Sequence, residues 1–143
     1  MARIRSIKPD FFTDDRLAEC SFAARLFAIA ILTVADREGR MEDRPRKLKA
    51  QLLPYDDLDV EALLRELVKI GYLIRYEVGG ERYIAIPGFK RHQQPHIKES
   101  ASTIPAPCSP SASTLPAHQI QIQEQVFSHR LEYRYPLEIL LAF

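Results

Sequence analysis

The residues most able to do chemistry in this chain are its cations, which fall into three clusters. The first is Arg3, Arg5 and Lys8. The second is Arg37, Arg40, Arg44, Arg46, Lys47 and Lys49. The third is Lys90, Arg91 and Lys98, with His92 and His96 between them. Guanidinium and ammonium groups gathered this closely suit the phosphates of a nucleic-acid backbone. The formal net charge is only +1, so bulk charge does not announce such a partner. A local positive face can still form on a nearly neutral molecule. The plainer alternative is a solvated surface, which is what most charge runs on small domains are.

Other chemistries fare worse. His92 and His96 have the i, i+4 spacing of helix-borne metal ligands, but Pro95 lies between them and opposes the helix that would present both rings to one ion. Cys20 and Cys108 are far apart and belong to no CxxC pair, so a reduced, intracellular protein is the default and Cys20 reads as a core thiol. Gly79-Gly80 reads as a hairpin turn and not as a phosphate loop. The Asp14-Asp15 and Asp56-Asp57 pairs suit turns and helix caps. The residues therefore predict no enzyme, no metal and no cofactor.

The elements that must position the cations are legible in outline. Residues 1–12 form an arm, with Ile4, Ile7, Phe11 and Phe12 expected to dock on the core and an extra strand as one option. Ser21 is a good N-cap for a helix over Phe22–Val34. That helix is apolar on nearly all sides and so predicts burial on nearly all sides. Gly39 suits the turn after it, and Arg40–Arg44 fits a first short strand with Met41 facing inward. Pro45 starts a basic helix to Leu53, where its missing N–H is harmless. Val60, Leu63, Leu64, Leu67, Val68 and Ile70 keep the spacing of a second, amphipathic helix closed by Gly71. Tyr72–Val78 and Arg82–Ile86 then read as a hairpin turned at Gly79-Gly80.

Helix, short strand, helix, helix, hairpin is the order of an α+β winged helix-turn-helix, here with a small antiparallel β-hairpin wing and an extended N-terminal arm. That fold usually presents its second paired helix to the major groove and its hairpin to the flanking backbone. In this chain the presumptive reading helix offers Arg65 and Lys69 outward, but Glu61 and Glu66 beside them would repel phosphate. The preceding helix carries Arg44, Arg46, Lys47 and Lys49 near its N-terminus, where backbone N–H groups also favour anions. Arg46, Lys47 and Lys49 are the first choice for contact with double-stranded DNA. Arg82 and Arg75 are all the wing supplies. Lys90 and Arg91 could follow a backbone or enter a minor groove.

The 143 residues allow one cored domain plus tails. Residues 1–98 are expected to form the domain, 99–117 a flexible Pro/Ser-rich linker, and 118–143 an apolar tail. That tail could pack back, meet another copy or protein, or stay without order. No apolar run approaches the roughly 18–20 residues of a membrane helix. The basic N-terminus lacks the apolar stretch of a secretory signal.

Five ordered segments within residues 1–98 carry a family resemblance. They are Met1–Phe12, Ala24-Arg25-Leu26-Phe27, Ala35–Arg40, Pro45–Ala50 and Gly88–Gln93. Together they resemble the winged-helix N-terminal domains of bacteriophage and prophage replication (replisome-organiser) proteins and related phage DNA-binding proteins. The resemblance implies a DNA-binding domain at work in the cytoplasm of a bacterial host, usually tethered to a C-terminal part that recruits helicase or other replication proteins. The final 26 residues are too few for a full recruitment domain. A second function also fits: a winged-helix protein-interaction module, an adaptor or inhibitor, with the tail supplying contact.

Overall fold

The computed structural model describes residues 2–107. Met1–Pro107 forms one compact unit; the expected tail at 118–143 and the second half of the expected linker lie outside the described residues. The elements run α1 (Asp10–Thr13), α2 (Asp15–Ala18), α3 (Phe22–Val34), β1 (Arg40–Glu42), α4 (Pro45–Leu52), α5 (Val60–Lys69), β2 (Ile74–Val78), β3 (Glu81–Ala85) and α6 (Phe89–His92). The chain is thus α+β, with a three-stranded antiparallel sheet in the order β1-β3-β2 whose last two strands form a hairpin. This order and topology are compatible with a winged helix.

The helices start and stop where local chemistry says they should. The Ser21 hydroxyl accepts from the Ala24 N–H at 3.1 Å, capping α3. Pro45 opens α4, and Asp59 caps α5 by accepting from the Glu61 N–H at 3.0 Å. Leu53, buried, ends the inner face of α4 immediately before Pro54. The core lies where α3, α4 and α5 meet one face of the sheet, and holds Phe27, Ile31, Leu64, Leu67 and Ile84 with Leu48 and Met41. Gly79 and Gly80 take φ of +61° and +81° between the paired Val78 and Glu81, the two left-handed positions of a tight hairpin turn.

Four expectations shift. The first strand of the hairpin begins at Ile74 and not Tyr72, because the Gly71, Tyr72 and Leu73 N–H groups close the end of α5 on the Val68 and Leu67 carbonyls. Helix α3 is not buried all round: Phe22 is 82% and Leu26 54% exposed on its outer face. The arm does not dock chiefly through its apolar side chains, nor does it add a strand. Ile4 is fully exposed and Phe12 largely so, while Phe11 alone reaches inward, edge-on to Tyr72 at 6.4 Å. Polar contacts hold the arm instead. The Arg3 N–H donates to Thr33 O at 2.8 Å, and the Arg5 guanidinium donates to Leu32 O and Ala35 O. These are carbonyls at the end of α3, where a helix has no intrahelical donors left to offer. Ser6 exchanges two hydrogen bonds with Gln93.

The fourth concerns what covers the outer face of the sheet, the face that carries Arg40, Tyr76 and Tyr83. The segment after Lys98, expected to begin the flexible linker, lies there. Arg40 Nη1 donates to Ile104 O at 2.9 Å and the Tyr76 hydroxyl to Pro105 O at 2.8 Å. The Ser102 hydroxyl donates to Asp36 Oδ2. Glu99 is gripped by Arg3 and Arg5, and Arg37 reaches its backbone carbonyl.

Candidate nucleic-acid interface

Pro45 places Arg46 and Lys47 in the first turn of α4, and burial of Leu48 turns both outward with Ala50 and Gln51. Arg44, at the N-cap, and Lys47 both lean on the exposed carboxylate of Glu42, at 3.1 and 3.5 Å. Arg46 and Lys49 make no ion pair among the described residues. The second helix, α5, buries Val60, Leu63, Leu64 and Leu67 and exposes Arg65, Val68 and Lys69. Arg65 approaches the exposed Asp59 only loosely, at 4.0 Å.

The two acids that make α5 a poor reader on paper are both engaged elsewhere. Arg75 on β2 forks into Glu61 at 2.5 and 3.1 Å and into Asp43 at 2.7 and 2.9 Å. Asp43 is buried, and its backbone N–H donates to Arg82 O. One guanidinium thus joins the sheet, the start of α4 and the start of α5. Charge-assisted forks of this kind fix geometry as well as charge. The hydrogen bond from Arg75 holds the Glu61 carboxyl below its ordinary range. Glu66 turns toward α3, accepting from the Ser21 hydroxyl at 2.8 Å and the Ser21 N–H at 3.2 Å. The exposed side of α5 beyond its first turn is therefore Arg65, Val68 and Lys69.

The remaining candidates divide. Arg75 is committed to its two carboxylates and is not a free wing cation. Arg82 is exposed on β3 directly opposite Glu77, so the wing carries little net charge. Lys90 pairs with Glu38 at 2.5 Å. Arg91 is exposed on α6, and its backbone carbonyl accepts from Lys8. Arg3 and Arg5, grouped by sequence as basic, are bound to Glu99 and to helix carbonyls. The positions left to meet phosphate are Arg46 and Lys49 on α4 and Arg65 and Lys69 on α5, with Arg82 at the wing. The turn between the helices is acidic, with Asp56, Asp57 and Asp59 all exposed and Tyr55 almost fully so.

Cys20 is buried, and burial raises its thiol pKa. No described helix is long and apolar enough to cross a membrane. No family model matches the chain, and neither the curated proteins nor the solved structures contain a significant match.

Proposed function

We propose that this chain is a winged helix-turn-helix protein that binds double-stranded DNA through α4 and α5, in the initiation of phage or prophage DNA replication or in its regulation. The observation that carries the reading is the disposal of Glu61 and Glu66. With Glu61 forked to Arg75 and Glu66 turned to Ser21, the exposed side of α5 is cationic. Arg46 and Lys49 then stand on the neighbouring helix, as the helix-turn-helix arrangement requires of backbone contacts. The element order and the β1-β3-β2 sheet support the same fold. The replication context rests on the five segments that resemble phage replication proteins. Helicase or other replication proteins would then be further partners, and residues 118–143 the region to reach them or a second copy.

A second reading, a winged-helix protein-interaction module, is favoured by a different observation. Phe22 and Leu26 project together from the outer face of α3, and the acidic turn at Asp56, Asp57 and Asp59 would repel phosphate. The two readings separate by amide NMR of the labelled chain titrated with a duplex oligonucleotide. DNA binding predicts perturbed signals at Arg46–Lys49, Arg65–Lys69 and the Gly79-Gly80 turn. No perturbation at low salt would overturn it and leave the interaction module.

A further inference from the structure

Strand order β1-β3-β2 makes β2 an edge strand, and among the described residues its backbone pairs with β3 alone. The ladder fixes which groups are left over. Arg82 O and the Ile86 N–H turn toward the β1 side, where they bond to Asp43 and Gly39. Tyr83 and Ala85 therefore turn toward β2, across from Tyr76 and Ile74. The N–H and C=O groups of Arg75 and Glu77 then point away from the sheet. Edges left open in this way are usually blunted by a proline, a lysine or a bulge. Ile74-Arg75-Tyr76-Glu77-Val78 contains none of these and pairs with β3 without interruption. Arg75 does turn its charge inward, but Asp43 and Glu61 neutralise it.

The same strand is self-complementary. Laid antiparallel on itself about Tyr76, it sets Ile74 against Val78, Arg75 against Glu77 and Tyr76 against Tyr76. We propose that β2 pairs in this register with β2 of a second copy, so that two chains share one sheet about a two-fold axis. The outward N–H and C=O of Arg75 meet the C=O and N–H of Glu77 in the second copy, and the reverse holds across the axis. The side chains agree with the backbone. On the outer face Tyr76, 5.6 Å from Tyr83 of its own chain, meets its counterpart and carries the aromatic row through the seam. On the inner face Glu77 sits between Arg82 of its own hairpin and Arg75 of the second copy. The neighbouring registers that keep the same backbone groups in contact set Arg75 on Arg75 or Glu77 on Glu77. Like charges directly opposite disfavour both. Because Arg75 already holds two carboxylates, its charge selects the register more than it strengthens the pair. The pairing requires only the sheet and is independent of any DNA contact.

The test uses the full chain, with sedimentation velocity for mass and amide hydrogen exchange for the seam. Mass should rise toward that of a dimer with concentration. In step with it the Arg75 and Glu77 N–H groups should become slow to exchange, while those of Tyr76 and Val78, bonded to β3, are slow throughout. Two variants break the seam by different means. Glu77→Arg sets a guanidinium against Arg75 of the second copy, and Glu77→Pro removes an outward N–H without touching the ladder to β3. Both should stay monomeric where the wild type is dimeric, with the Arg75 amide exchanging fast and Tyr76 and Val78 still protected. A wild type that stays monomeric at the highest concentration reached would overturn the proposal. So would a dimer whose Arg75 and Glu77 amides exchange fast, which places the contact on another surface. A folded variant that dimerises as the wild type does would overturn it too. Should one variant lose the Tyr76 and Val78 protection, and with it the hairpin, the other decides.

Discussion

At the scale of single residues, Arg75 is the side chain on which most depends. It carries one positive charge against two carboxylates, and Asp43 is buried. The arrangement supplies a sharp test, because charge and geometry predict opposite signs. Glu61→Gln removes an anion beside the proposed DNA surface, so electrostatics alone would tighten binding. If the fork holds the start of α5 in place, the same change weakens binding, by about threefold to tenfold, as a loosened segment must be ordered again. Fluorescence anisotropy with a duplex at one fixed salt concentration reads the sign directly, and tighter binding would deny the fork any positioning role. That Arg75 is a strut and not a wing cation was not legible in the sequence. Asp43, Glu61 and Arg75 come from three different elements, and no local pattern joins them. Ser21 and Pro45, by contrast, act within one turn of their own positions, and each was readable as a helix start.

At the scale of elements, the spacing of apolar residues sufficed for α5, which buries Val60, Leu63, Leu64 and Leu67 against the core, while the hairpin was legible from its Gly79-Gly80 turn and β1 from its place in the element order. It misled on α3. Apolar on nearly all sides meant buried on nearly all sides only if something covered Phe22 and Leu26, and within the described residues they stand exposed. The arm misled in the other direction: its cations do the docking and Ile4 does none. Gly39 marks a junction between elements that tolerates no side chain. Its φ is +76°, and a Cβ there would lie 2.5 Å from the Phe89 Cβ. Gly39→Ala should therefore lower stability by about 2 kcal/mol or more, from the left-handed backbone and the clash together. Chemical denaturation checks this, and a change within about 0.5 kcal/mol, as for an ordinary surface substitution, would contradict it.

At the scale of the whole molecule, clusters of cations in the sequence are not clusters of free charge. Arg3, Arg5 and Arg37 converge on Glu99, Lys90 on Glu38, and Arg44 and Lys47 on Glu42. Among the described residues, the candidate cations outside these pairs are a smaller set on α4 and α5 and at the wing, of which Arg65 touches Asp59 only loosely. The internal pairs also make stability depend on pH. The hydrogen bond from Arg5, with the charges of Arg5, Arg3 and Arg37, holds the Glu99 carboxyl below its ordinary value of 4.5. A carboxylate depressed in the folded state stabilises fully above its unfolded value and loses that contribution as pH falls through its folded value. Glu38 and Glu61, held down chiefly by hydrogen bonds from Lys90 and Arg75, act in the same direction. Thermal stability should thus be flat above pH 4.5 as far as these groups are concerned and decline below it. Glu99→Gln should give a lower plateau and a shallower acid decline. A decline as steep as that of the wild type would remove Glu99 from the account.

The central claim, that α4 and α5 form a DNA surface, is tested most directly by the salt dependence of duplex binding. Anisotropy of a labelled duplex would be followed across a range of salt for the wild type and for the Arg46→Ala/Lys49→Ala double variant. If both side chains meet phosphates, the slope of log affinity against log salt falls by about 0.9 for each one removed. A variant that binds with the wild-type slope, or a wild type that does not bind at low salt, would contradict the account.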